Sequence, residues 1–553
     1  MSAPESWSLG YEIVGLEADK AFNACELILD RNCYTQPEAV ALIHRSFSGS
    51  REEFTFRDLL EGTARFASGL RDLGICKGDR VFVLLEPSVE LYWAILGAIR
   101  IGAIAGPLFS AFGTAGLLDR LSDSGARVLV IAAPHLHKIR AIIDQLPQLE
   151  HVLVVGEGPL GDRESSLVQL MQQAKTTEPA EPMLPDDPMI LHYSSGTTGK
   201  PKGVLHAHRA LLGHAITAKL VLDLQSDDIY WCTADPGWVT GTSYGIFGPW
   251  ANSITQISYT GGFSTDAWYQ ILAEEGVTVW YTSPTALRML MREGVEATRK
   301  HDLTSLRHIC SVGEPLNPEV IRWAQEAFGL TVHDTWWQTE TGCIQIANYP
   351  FMEVRPGSMG RPYPGVTATI LDPASFEPVS PRSEGLLALR PDSPAMFLTY
   401  WGQTERYRER FKKGWYITGD RAWRDEAGYY WFVGRDDDVI NTSGHLVGPF
   451  EVESALLEHP SVVEAAVFSI PVQDAGVAVA AQVILAGGHE ESRELLRELR
   501  TLVRRRVGPY AVPRELGVVG NLPRTRSGKI MRRVARAQFL GLPTGDLSAL
   551  DEE

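Results

Sequence analysis

The strongest chemical signal in the chain is an eleven-residue string, Tyr193-Ser-Ser-Gly-Thr-Thr-Gly-Lys-Pro-Lys-Gly203. It follows the apolar run Met189 to Leu191, so it reads as a loop leaving a strand. Its glycines let the backbone bend and bring N–H groups close to an anion. Its hydroxyls and lysines add donors and charge, a combination that suits a polyphosphate. It is not a Walker loop, because Lys200 is followed by Pro201 rather than Ser or Thr. A solvated Ser/Gly/Thr turn is the competing reading, and the lysine spacing argues against it. A second string is Asp334-Thr-Trp-Trp-Gln-Thr-Glu-Thr-Gly342. Its tryptophans suit core packing. Its polar half suits nucleotide and metal: Glu340 could hold Mg²⁺, which takes a carboxylate together with substrate phosphate oxygens, and Thr339 could donate to a phosphate. Two further strings, Tyr416-Ile-Thr-Gly-Asp420 with Gly434-Arg435 after it, and Pro523-Arg-Thr-Arg-Ser-Gly-Lys529, are weak alone.

These strings need elements to hold them. Strand-like runs at Arg80 to Leu85, Ala126 to Ala132 and His151 to Val155 alternate with helical patterns around Arg57 to Leu73 and Leu118 to Ser124. Such alternation predicts an α/β fold of parallel sheets covered by helices. The polar, Pro-rich stretch 176–188 reads as a surface linker. A second change of character falls at Gly434-Arg-Asp-Asp-Asp438. Beyond it, Leu495, Leu496, Leu499, Leu502 and Val503 have the spacing of one helix face. The expected division is a large N-terminal domain, residues 1–436, and a small C-terminal α+β domain, residues 437–553.

At 553 residues the chain is too long for one compact core. The formal charge of −17 disfavours nucleic acid as a partner. The basic run Arg504 to Arg506 is as well explained by a solvated helix face. Six cysteines without CxxC pairs or zinc spacing read as reduced thiols of a cytoplasmic protein. No basic region and apolar run open the sequence, so no secretory signal is expected. The longest apolar stretch, Leu91 to Phe109, contains Arg100 and several Gly and Pro breaks. It reads as a buried helix and strand, with no membrane span expected.

Taken together, the four strings resemble the adenylate-forming superfamily of acyl-CoA synthetases, firefly luciferases and peptide-synthetase adenylation domains. The resemblance runs from Phe54 to Arg533. Within that group, the strings Cys232-Thr-Ala-Asp-Pro-Gly-Trp-Val-Thr-Gly241, Ser311-Val-Gly-Glu-Pro-Leu-Asn-Pro-Glu319, Asp334 to Gly342 and Pro523 to Arg533 are similar to acetyl-CoA synthetases. The string Gly448-Pro-Phe-Glu-Val-Glu-Ser454 is similar to their shorter bacterial form.

The resemblance implies two half-reactions with a rotation of the small domain between them. A carboxylate attacks the α-phosphate of ATP and pyrophosphate leaves. The thiol of coenzyme A then attacks the acyl-adenylate and AMP leaves. By motif position, Ser194, Ser195, Gly196, Thr197, Thr198, Gly199, Lys200 and Lys202 should wrap the β- and γ-phosphates. Gly313, Glu314 and Pro315 should line the adenine site and Asp334 should face the adenine amino group. Thr335, Trp336, Trp337 and Gln338 complete the nucleotide side. Thr339 should touch the α-phosphate, Glu340 the Mg²⁺, and Asp420 with Arg435 the ribose. Lys529 should bridge carboxylate and α-phosphate. Asp437 matches a hinge, and Ser443 and Arg504 match positions that contact coenzyme A. Trp238, Val239, Thr240, Val312 and Trp337 match the acyl pocket. The Trp337 indole fills the space a longer acid would need, which favours acetate and tolerates propionate. Lys529 sits in a context similar to sites acted on by lysine acyltransferases and deacylases.

Two departures from the family pattern stand out. A cation is expected after Ser443-Gly-His, where Leu446 stands. The stretch Asp474 to Ala481 lacks the charges of similar enzymes. Both remove charge from the small domain. Three readings stay open: an acetate:CoA ligase, a ligase for another short acid (propionate, hydroxy or branched), and a degenerate member that only binds nucleotide or acyl groups.

Overall fold

The computed structural model describes residues 7–17, 20–194, 201–442, 445–472, 476–524 and 530–544. Two large sheets and their helices form the N-terminal domain. The first sheet runs Thr399–Tyr400, Lys202–Ala207, Pro188–Ser194, Ile104–Pro107, Arg80–Leu84, Val128–Ala132, His151–Val155 and Glu164–Ser166. Its six strands from Pro188–Ser194 to Glu164–Ser166 are parallel. Pro188–Ser194 and Lys202–Ala207 pair antiparallel, which sets Ser194 opposite Lys202 and fixes both ends of the Gly-rich string.

The second sheet has a parallel core in which Ile229–Cys232, Val279–Thr282, His308–Ser311 and Val332–Trp336 lie side by side. It continues into antiparallel strands that include Trp415–Arg424 and Tyr430–Arg435. The segments that follow Cys232, Thr282 and Ser311, with the carboxyl end of Val332–Trp336, open on one side, where ligands of α/β sheets bind.

The helices follow the sequence pattern. Phe56–Asp72 starts at a capping box, with the Thr55 hydroxyl accepting from the Asp58 N–H and the Asp58 carboxylate accepting from the Thr55 N–H. Val89–Arg100 is buried on nearly every face. Its buried charge, Arg100, is matched by a forked pair with Asp30 at 2.7 and 2.8 Å. Two expectations need adjusting. The strand expected from Ala126 begins at Val128. The Pro-rich stretch is only partly surface: Met183 is buried, and the Glu181 N–H donates to the Arg100 carbonyl at 2.7 Å. Backbone pairing has overridden a polar composition there.

The small C-terminal domain is α+β. Val462–Val472 and Gly476–Leu485 pair antiparallel, and Glu515–Val518 adds in parallel. Arg493–Arg506 buries Leu495, Leu499, Leu502 and Val503, the face its spacing predicts. Arg532–Leu540 packs Ala535 against Phe468 and Ala480. All six cysteines are free. Among the described residues, no helix is long and apolar enough to cross a membrane.

Candidate active site

A chamber of about 2230 Å³ lies where the sheet ends meet the small domain. Its polar floor centres on Glu340, which follows Val332–Trp336 by four residues. Lys202 approaches Glu340 Oε1 at 3.2 Å, and the Tyr400 hydroxyl donates to the same oxygen at 2.8 Å. Burial works to raise the Glu340 carboxyl, but Lys202, the Tyr400 hydroxyl and Arg410 outweigh it and draw it down to about 2. Glu340 is therefore ionised throughout the neutral range. Burial lowers the Lys202 ammonium, and Arg406 and Arg410 add repulsion that the nearby Glu340 does not fully offset.

The loop bearing Thr339 is pinned from behind. The two ring nitrogens of His206 face the Ala395 carbonyl at 3.1 Å and the Thr339 carbonyl at 2.8 Å. Burial lowers this imidazole to about 4, so the ring is neutral and donates to one carbonyl at a time. Asp334 is buried and accepts from the Ser311 hydroxyl at 2.6 Å. Burial raises its carboxyl to about 7 against that bond and two backbone N–H groups. Glu314 is fixed by Arg288 at 2.7 Å and Thr285 at 2.7 Å. Gly313 has φ +91°, a conformation that side chains rarely adopt.

Asp420 is held on both oxygens. Trp336 Nε1 and Gln338 Nε2 donate to Oδ2 at 3.1 and 2.9 Å, and Arg435 donates to Oδ1 at 3.2 Å. The apolar wall is aromatic. Trp238 packs on Phe109 and Phe112, with ring centroids 5.6 and 6.0 Å away. Trp337 meets Tyr244 edge-on at 5.3 Å and donates to the Tyr281 hydroxyl at 3.2 Å. Val239, Thr240, Val312, Pro315 and Thr335 also line the chamber, as do Ser194 and Asp437.

Residues 29–401 match the family described as AMP-binding enzyme, and residues 451–529 match its C-terminal domain. The chain belongs to the AMP-binding enzyme family. An acetyl-coenzyme A synthetase of Bacillus subtilis is 48% identical over 96% of this chain and 93% of its own length. One from Rubrobacter xylanophilus is 43% identical over 88% of this chain and 80% of its own length. Among solved structures, the anthranilate CoA ligase AuaEII in complex with anthranoyl-AMP superposes with a TM-score of 0.87 at 30% identity, covering 97% and 99% of the two chains. A Brucella canis acyl-CoA synthetase gives 0.76 at 36% identity, covering 98% and 99%.

Of the residues expected at the site of this AMP-binding enzyme, Ser195, Gly196, Thr197, Thr198, Gly199, Lys200, Ser443 and Lys529 lie outside the described residues. Arg524 and Ile530, on either side of residues 525–529, both line the chamber. Arg504 does not line it; it is exposed on Arg493–Arg506, the solvated face that the basic run suggested.

Leu446, on the strand His445–Val447, does not line the chamber either and is 39% exposed. Among the described residues, Lys202, Arg410 and Arg435 act electrostatically on Glu340. Leu446→Arg is therefore expected to leave the single-turnover rate of nucleotide chemistry unchanged. A faster adenylation step at unchanged stability would show that this hairpin reaches the phosphate after all.

Sequence reasoning missed Tyr400, Arg410, His206 and Tyr281. Only Arg410 left a trace, since Arg406 and Arg410 are four residues apart and so share a helix face.

Proposed function

We propose that this AMP-binding enzyme is an acetate:CoA ligase, forming acetyl-adenylate and pyrophosphate from acetate and ATP, then acetyl-CoA and AMP. The observation that supports this reading is the Trp337 indole, which lines the same chamber as the ionised Glu340. A carboxylate is a poor electrophile, and adenylation gives it a good leaving group. Negative charge gathers on the phosphates as pyrophosphate departs, so fixed cations and N–H groups lower that barrier.

The residue assignments follow the family's motif positions. The string from Ser194 to Lys202 wraps the β- and γ-phosphates, tethered by the Ser194–Lys202 register. Gly313, Glu314, Pro315 and Asp334 receive adenine, and Asp420 and Arg435 receive the ribose hydroxyls. Thr339 donates to the α-phosphate. Glu340 suits Mg²⁺, because it is a charged carboxylate whose contacts from Lys202 and Tyr400 both fall on Oε1. Mg²⁺ bound there would neutralise phosphate charge. Trp238, Val239, Thr240, Val312 and Trp337 enclose the acetate methyl. Lys529 bridges carboxylate and α-phosphate. Ser443 and Arg504 meet coenzyme A in a second arrangement of the small domain. We place the enzyme in the cytoplasm, with a lysine acyltransferase and deacylase acting on Lys529 as its regulators.

The decisive test is a panel of short acids, with and without coenzyme A, reading pyrophosphate and AMP separately. Acetate should release pyrophosphate first and AMP only with coenzyme A. A preference for propionate, a hydroxy acid or a branched acid would reassign the substrate. No pyrophosphate with any acid would indicate a nucleotide-binding protein without ligase activity.

The domain boundary falls at residues 436 and 437, and Asp437 is the hinge. In the present arrangement Arg292 of the large domain pairs with the buried Glu464 of the small one, and Asn317 donates to Ser454 at 2.9 Å. Those contacts must break if the small domain rotates. Asp437→Pro fixes φ near −65°. It should lower overall thioester synthesis far more than pyrophosphate exchange. Parallel loss of both in a folded variant would place the hinge elsewhere.

A further inference from the structure

Arg410 caps the helix Thr404–Glu409 and reaches into the chamber from the large domain. The protein uses little of its donor capacity. Nη2 donates to the Thr418 carbonyl at 2.7 Å, the guanidinium lies 5.6 Å from the Tyr416 ring and also bonds the Tyr416 side chain, and Glu340 attracts it through space. Its Nε is buried with no hydrogen-bond partner among the described residues. A buried N–H without a partner is costly, so such a group calls for an account of what it meets in the working protein.

The charge around it supplies that account. Lys202, Arg410 and Arg435 all act on Glu340, and Arg406 adds repulsion on Lys202. Asp420, the next carboxylate, is taken by Arg435, Trp336 and Gln338. Arg410 and Arg435 also converge over Gly419. A Cβ at Gly419 would sit 3.3 Å from Arg410 Nη2 and 3.6 Å from Arg435 Nη2. Two guanidiniums that approach one another repel unless an anion lies between or beside them. Forked guanidinium donors match phosphate oxygens bidentately.

We propose that Arg410 is a phosphate-binding residue that holds the pyrophosphate portion of ATP. The inference rests on the ligase reading above and adds a residue to it. Lys202, which bonds Glu340 at 3.2 Å, ends the string assigned to the β- and γ-phosphates, and Arg410 shares that carboxylate with it, which puts Arg410 on the pyrophosphate side of the floor. Arg410 belongs to the large domain, so its charge stays in place whichever way the small domain turns.

The test is calorimetric titration of the full chain with AMP and, in the presence of Mg²⁺, with α,β-methylene-ATP. Arg410→Gln should weaken the ATP analogue about 10- to 100-fold, the cost of one charge-assisted hydrogen bond. Its affinity for AMP should not change. Arg410→Lys should recover part of the loss, keeping the charge without the fork, and also serves if the glutamine variant does not fold. In pyrophosphate exchange the same variants should raise the KM for pyrophosphate.

Equal affinities in variant and unsubstituted enzyme would overturn the proposal. So would equal weakening of AMP and analogue, which would make Arg410 a support for the Thr418 to Asp420 turn. If the unsubstituted chain binds neither nucleotide, the ligase reading fails first, and that outcome is separate from a failure confined to the Arg410 variants.

Discussion

Lys529→Ala is expected to lower acetyl-adenylate formation by about 10²- to 10³-fold, the range for removing one donor aimed at transition-state charge. Thioester formation from supplied acetyl-adenylate should be largely intact. The asymmetry is the point. In the role proposed above, the ammonium would act on charge that builds between the incoming carboxylate and the α-phosphate, and that charge is absent once the adenylate is made. Geometry around the segment is consistent with this role. Arg524 and Ile530 pair in an antiparallel bridge on either side of residues 525–529, and both line the chamber. Beyond Ile530, Arg532 donates to Glu453 with two bonds at 2.7 and 2.6 Å. Single-turnover assays of the two half-reactions separate the possibilities. Equal loss in both would remove Lys529 from the adenylation step. Acylation of Lys529 also removes the charge. Enzyme acylated at that lysine should therefore reproduce the alanine variant, and a deacylase should restore it.

The chemistry was more legible in the sequence than the wiring that supports it. The strings at 193–203 and 334–342 concentrate Gly, Thr, Lys and Glu in ways that no structural need of a strand end explains. They were readable without any contact. Tyr400 was not, because its bond to Glu340 joins residues 60 apart and a lone tyrosine has no pattern. Lys202 was readable as a phosphate donor but not as the partner of a carboxylate 138 residues away. The same holds for Arg292 and Glu464, which meet across two domains. Helix faces were read well, since a period of 3.6 residues is local information. The Pro-rich stretch was read less well: its composition is that of a linker, and only the packed neighbours of Met183 reveal that part of it is core. Leu446 shows the limit of a motif position. The family pattern supplies an expected charge, but only the structure shows that, among the described residues, the cations acting on Glu340 are Lys202, Arg410 and Arg435.

Trp337→Gly should turn the preference from acetate toward acids of four or more carbons. The indole is held by two aromatic partners, edge-on to Tyr244 at 5.3 Å and bonded to the Tyr281 hydroxyl at 3.2 Å. It therefore has little freedom to swing aside for a longer substrate. Removing it leaves no orphaned polar group, because the Tyr281 hydroxyl keeps its partner Thr335 Oγ1 at 2.8 Å. The opened space is apolar and aromatic. Each added methylene that enters it gains roughly 0.8 kcal/mol, about fourfold in affinity. Butyrate should thus gain about an order of magnitude over acetate from burial alone. Acetate itself should lose, since its methyl no longer touches a wall and the carboxylate is free to drift from the α-phosphate. Stability should fall as well, by up to about 3–5 kcal/mol if the space does not collapse. A melting curve must therefore accompany the kinetics. The measurement is kcat/KM across straight-chain acids from two to eight carbons. A folded variant that still accepts only acetate would show that Trp337 is packing rather than the floor of the pocket. The limit on chain length would then be sought at Trp238, which packs on Phe109 and Phe112 and lines the same chamber.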